Sequence, residues 1–166
     1  EDDNHTYFMT YTAYDGNTAR LCVASSKDLY SWEKHRLAFD NYPDLWSKAG
    51  AIICRRKEDR LIATRINGKY WMYWGESKVY AATSDDLIHW TPVLQTQHSN
   101  DPEGYDNHFL SIFGIRSNRF DSSLVESGPP ALITDAGILL IYNGRNDVGY
   151  GDSSLADGTY AGGQIL

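Results

Sequence analysis

The chain has 166 residues and a net charge of −7 at pH 7, from 22 acidic and 15 basic side chains. Its hydrophobic content of 42% is that of ordinary globular material, and no apolar run is long enough for a membrane helix. That net charge, with no basic block, argues against nucleic acid as the main partner. Twelve Tyr and five Trp are many for this length. Aromatic faces suit the apolar C–H faces of sugars, although most such residues serve strands and cores. Cys22 and Cys54 lie in apolar, strand-like runs and read as free buried thiols. No spacing resembles a zinc site, so no metal is expected. The chain opens on polar Glu1-Asp2-Asp3-Asn4 with no secretory signal in view, which leaves the compartment open.

In chain order, Tyr7 to Tyr14 is a strand by residue type, Asp15-Gly16 its turn, and Leu21 to Ser25 its partner. Asn67-Gly68 is a hairpin signal, because both residues tolerate positive φ. Tyr70-Trp71-Met72-Tyr73-Trp74 follows as an aromatic strand. Alternation sends Tyr70, Met72 and Trp74 to one face and Trp71 and Tyr73 to the other. Gly75 ends the strand and Glu76 comes directly after it. Lys78 to Thr83 is the next strand. Gln95 to Arg119 reads as a long polar loop, with His98, Asp101, Pro102, Asp106 and His108, around a short apolar strand from Phe109 to Ile115. Loops of this length are often functional. Glu126 then precedes Gly128-Pro129-Pro130, and Ile138 to Gly144 is a further strand.

One pattern recurs. Ala24-Ser25-Ser26-x-Asp28-Leu29-x-x-Trp32 returns as Ala82-Thr83-Ser84-x-Asp86-Leu87-x-x-Trp90, and the strands around Tyr11, Tyr73 and Tyr142 mark three repeats. Repeats of this length built from short strands predict propeller blades, small antiparallel sheets that bury their faces against their neighbours. Asp suits the start of each turn, and the Trp is expected to pack between blades.

Tyr11 to Gly16, Trp46-Ser47-Lys48, Lys69 to Glu76, Phe120-Asp121-Ser122 and Leu124 to Pro130 together resemble glycoside hydrolase family 130 over nearly the whole chain. The resemblance implies an all-β fold, part of a five-bladed β-propeller. It also implies phosphorylase or hydrolase activity on β-mannosides, often β-1,2-linked, at one mouth of the central channel. Two departures matter. The family's Glu-Asp-Pro-Arg motif, whose Asp is the general acid of the phosphorylases, has no counterpart at Glu1-Asp2-Asp3-Asn4, so it is expected upstream, and the chain is expected to be a fragment of two to three blades. The phosphorylases also hold phosphate with several basic side chains, including a His-Arg pair after the aromatic strand, and tend to lack an acid where Glu126 stands. Here that strand ends Trp74-Gly75-Glu76. Phosphate beside two carboxylates is repelled, so the hydrolase branch is the closer match, although Arg65 keeps a basic residue where the family often has Lys.

Glycoside hydrolysis needs a proton donor and a base or nucleophile. Two carboxylates in one cleft push each other's pKa values apart and so can divide those roles. Glu76 and Glu126 are the expected catalytic pair, facing each other across the channel mouth. The family's inversion calls for a separation of roughly 6.5–9.5 Å. Asp15 and Asp121 are expected to hold sugar hydroxyls, Lys48 and Arg65 to donate to hydroxyls or orient a carboxylate, and Tyr14, Trp46 and Trp74 to stack on sugar. Each has an equally simple packing or turn role. Arg65 and Asp121 are expected near the pair. The expected partner is a manno-oligosaccharide, with no cofactor unless inorganic phosphate serves a phosphorylase. The rival readings are such a phosphorylase, a non-catalytic mannoside-binding propeller and, more weakly, a protein-interaction propeller.

Overall fold

A computed structural model describes residues 1–95 and 108–166. His98, Asp101, Pro102 and Asp106 of the long loop lie outside the described residues. The remainder is all-β. β1 (Tyr7–Tyr14), β2 (Ala19–Ser26) and β3 (Glu33–Leu37) form one antiparallel sheet. β4 (Ala51–Lys57), β6 (Tyr70–Trp74), β7 (Lys78–Ser84) and β8 (Trp90–Pro92) form a second, with β5 (Arg60–Ala63) on β4 and β9 (Ser111–Gly114) on β7. β10 (Leu124–Ser127) and β11 (Ala131–Thr134) both pair with β12 (Gly137–Arg145), which also carries β13 (Tyr160–Ile165). The second and third sheets are joined by a short parallel contact, Ala131 opposite Ile53 and Leu132 opposite Cys54. Among the described residues no sheet closes on itself, and β1 and β13 each pair on one side only.

The expected alternation along β6 is what holds adjacent sheets together. Met72 and Trp74 sit in one core with Leu21, Val23, Phe39 and Trp90, and Tyr70 packs against it. Trp71 and Tyr73 pack against a second core of Ala51, Ile53, Val125, Leu140 and Tyr142. A strand with two apolar faces is thus sandwiched between neighbouring blades. The Asn67-Gly68 turn adopts the anticipated positive φ at both residues, 51° and 82°.

The two recurring turns are built alike. Ser26 Oγ accepts from Leu29 N at 2.8 Å, Asp28 Oδ1 accepts from the N–H groups of Tyr30 and Ser31, and Trp32 Nε1 donates to Leu29 O. Ser84, Asp86, Leu87, Ile88, His89 and Trp90 repeat this arrangement. Trp90 is buried between the first two sheets, as expected, and its backbone N–H reaches Ala38 O. Trp32 is only half-buried and Leu29 is 54% exposed, since the first sheet has no neighbour on that side. Cys22 and Cys54 are free and buried, and burial pushes both thiols up from their ordinary pKa.

Candidate active site

Three strand breaks converge on one point. The first is Trp46-Ser47-Lys48, the segment before β4, anchored by Ser47 N to Ala19 O and by Gly75 N to Lys48 O, both at 2.9 Å. The second is Gly75, at φ 120°, where a β-carbon would collide with Lys78 O, so only glycine turns the chain there without strain. The third is Gly128-Pro129-Pro130, which interrupts pairing with β12 between β10 and β11 because proline supplies no N–H. Gly128 N still reaches Ile141 O at 3.0 Å. These breaks let Glu76 and Glu126 form an isolated antiparallel bridge, supported by Ser77 N to Val125 O at 2.9 Å.

The side chains meet on one cation. Lys48 Nζ lies 3.2 Å from Glu76 Oε2 and 3.7 Å from Glu126 Oε2. Trp46 Nε1 donates to the same Glu76 oxygen at 3.2 Å. All three charged side chains are roughly three-quarters buried, with 23–27% of their side-chain surface exposed. The two Oε2 atoms can be no farther apart than the sum of their distances to Lys48. That bound only just reaches the lower edge of the roughly 6.5–9.5 Å expected of an inverting acid–base pair. The exposed ring of Trp46 meets the exposed Tyr14 edge-on, with centroids 6.4 Å apart, forming an aromatic rim beside the carboxylates.

Four expected site residues lie elsewhere in the molecule or are otherwise engaged. Trp74 is 1% exposed, wedged among Phe39, Tyr80 and Phe109, so no sugar can reach it; its indole N–H is buried without a hydrogen-bond partner. Arg65 donates to Gly68 O and Asp85 O and lies 4.3 Å over the Tyr70 ring. It braces the hairpin end of β6, roughly 16 Å from the Glu76 end at 3.3 Å per residue. Asp15 closes its turn by accepting from the N–H groups of Asn17 and Thr18 and pairs with Arg20. The Thr18 N–H and the Arg20 guanidinium hold its carboxyl far below the usual carboxylate range. Asp121 is fully buried, with its carboxylate taken by Arg116 Nε at 2.9 Å and Tyr142 Oη at 2.8 Å. Burial first, then the Asp121 contact, raises the Tyr142 hydroxyl to about 12.

Arg116 carries no signal of its own in the sequence. Its role shows only once Asp121, five residues on, folds back beneath it, with Arg116 N donating to Asp121 O. The preceding residue, Ile115, donates its N–H to Ser77 O, next to Glu76, so the Arg116–Asp121–Tyr142 cluster braces the backbone beside the carboxylates. Among the described residues, no group of three or more His, Cys, Asp or Glu could hold a metal ion.

The Glu76–Lys48–Glu126 cluster, rimmed by Trp46 and Tyr14, thus lies where neighbouring sheets meet. The chain belongs to glycoside hydrolase family 130: the family model, described as β-1,4-mannooligosaccharide phosphorylase, matches residues 2–153. The chain is a portion of that family's five-bladed β-propeller. It is 28% identical over 145 residues to a 1,2-β-oligomannan phosphorylase from Thermoanaerobacter sp. (strain X514), covering 85% of this chain and 39% of that protein. It superposes with a TM-score of 0.89 on a glycosyl hydrolase from Bacteroides ovatus, at 41% identity, over 99% of this chain and 45% of that one. A structure described with the family's glycoside hydrolases that target β-1,2 mannosidic linkages in Candida mannan gives a TM-score of 0.90 at 39% identity, again over 99% and 45%. The chain thus spans less than half the length of these relatives.

Proposed function

We propose that this chain carries the base side of an inverting β-mannoside hydrolase acting on β-1,2-linked manno-oligosaccharides. The observation that supports it is the charge inventory of the site. Glu76 and Glu126 bring two negative charges against the single Lys48 ammonium. Arg116, which follows the Ile115 that bonds Ser77 O, is already matched by Asp121. A phosphate dianion entering here meets net negative charge at short range, whereas a neutral water or sugar does not. The 39–41% identical structures described as hydrolases point the same way, while the phosphorylase relative stands at 28%.

In this reading Trp46 and Lys48 fix the Glu76 carboxylate, which takes a proton from the attacking water. Glu126 shares Lys48 and orients the same water. Two carboxylates held this close favour work on one face of the sugar, so the proton for the leaving oxygen comes from a third acid of the full-length protein, outside this pair. The alternative is that Glu126 itself supplies that proton. Tyr14 and Trp46 receive a sugar ring at the rim. The test is product analysis with the full-length protein and β-1,2-mannobiose, with and without inorganic phosphate. Mannose released at equal rates in both conditions is the expected result; strict phosphate dependence with mannose 1-phosphate as product would overturn it. An activated aryl β-mannoside separates the two proton donors. It restores turnover to Glu126→Gln only if Glu126 is the acid.

A further inference from the structure

At the far end of β4 from the carboxylates lies a second concavity of different character. Arg55, Arg56, Lys57 and Arg65 line one cavity of about 360 Å³, with Asp3 the one acidic residue on its wall. Four of the chain's 15 cationic side chains are thus gathered in one place, in a molecule whose net charge is −7. β4 begins three residues after Lys48 and runs seven residues, roughly 20 Å at 3.3 Å per residue, before it ends at Lys57. The groove is therefore separate from the Glu76–Glu126 site. Arg65 is held rigid by two backbone carbonyls and the Tyr70 ring, none of which neutralises it. Arg56 donates to Glu58 O, again a carbonyl. The Arg55 and Lys57 side chains have no hydrogen-bond or ion-pair partner among the described residues. Like charges crowded on one strand end repel, and a fixed guanidinium beside free cations is the arrangement that receives a tetrahedral oxyanion through charge-assisted hydrogen bonds.

We propose that this groove binds a phosphate group, either inorganic phosphate or the phosphate ester of a sugar. The cavity has room for a hexose ring as well as the anion, and Tyr70 and Ile62 supply apolar wall for it. The experiment is calorimetric titration of the full-length protein with inorganic phosphate, a hexose 6-phosphate and the unsubstituted hexose, repeated in Arg55→Gln/Lys57→Gln. Both anions are expected to bind, the neutral sugar is not, and the double variant should lose at least about tenfold in affinity while turning over neutral mannoside normally. Equal affinity for the two anions identifies free phosphate as the ligand. Tighter binding of the ester identifies the sugar phosphate. No saturable binding of either anion, or binding unchanged in the double variant, overturns the proposal. Lys57→Gln alone, at an exposed position, gives the same reading should the double variant fold poorly. The measurement reads binding at the groove, so its failure leaves the hydrolytic reading of the carboxylates untouched.

Discussion

Glu76 and Glu126 occupy equivalent situations yet differ in what holds them. Glu76 Oε2 receives two donors at 3.2 Å, while Glu126 has one contact at 3.7 Å. Replacing either by Gln keeps the shape but removes the negative charge, and at Glu76 the proton uptake with it. Turnover is expected to fall by about 10²–10⁴-fold in each case, with sugar affinity measured by calorimetry little changed. Near-normal turnover in one variant would remove that residue from the reaction. Lys48→Met strips the shared cation and lets both carboxylates move. About a hundredfold loss in kcat is expected without comparable loss of fold, checked by thermal melting alongside turnover. Asp121→Asn acts differently: it weakens buried, charge-assisted bonds to Arg116 and Tyr142, so a loss of about 1–3 kcal/mol should appear in urea unfolding. Asp121 and Trp74 both stand in site-like motifs, and what separates them from Lys48 is burial. Burial is set by neighbours distant in sequence, so a motif alone does not report it. Trp46 entered the reading through the family-like Trp46-Ser47-Lys48 motif; Arg116 carried no such signal, because its partner reaches it only through the folded loop.

At the level of elements, what was legible is what local chemistry determines. The Asn67-Gly68 turn, the two-faced β6 and the repeated Asp-Leu-x-x-Trp turn all appear as read. The pairing of β4 with β11 was not legible, since a parallel contact between segments far apart in sequence leaves no local signature. The two Asp-Leu-x-x-Trp turns yield a pH expectation. Hydrogen bonds from Ser31 N and Tyr30 N lower Asp28 to about 2. A depressed carboxylate contributes stability that is present above the unfolded value near 4 and lost as pH falls toward about 2. The second turn adds a base. The hydrogen bond to Asp86 raises His89 above its ordinary value. A raised histidine contributes stability that is complete below about pH 6.5 and lost as pH rises through its folded value. Melting temperature compared between wild type and His89→Gln should therefore differ most at acidic pH and converge at alkaline pH. A difference that does not change between pH 5 and 9 would contradict the pairing.

Among the described residues β1 and β13 are open sheet edges, with Met9 and Tyr14 exposed on one and Tyr160 and Ile141 on or beside the other. Unpaired edges and apolar faces invite association. Residues 1–166 expressed alone should therefore self-associate in sedimentation experiments, whereas a monomer with a sharp cooperative melt would mean that this portion of the propeller is stable without neighbours. The proposed function has its consequence at this scale too, because in it Glu76 and Glu126 select water over phosphate as the attacking group. The most direct measurement is to let the full-length protein act on β-1,2-mannobiose in ¹⁸O-labelled water with inorganic phosphate present, following the product by mass spectrometry and NMR. The expected product is mannose released in the α configuration with one labelled oxygen at C1. Mannose 1-phosphate without label, or mannose released as the β anomer, would contradict inverting hydrolysis by Glu76 and Glu126.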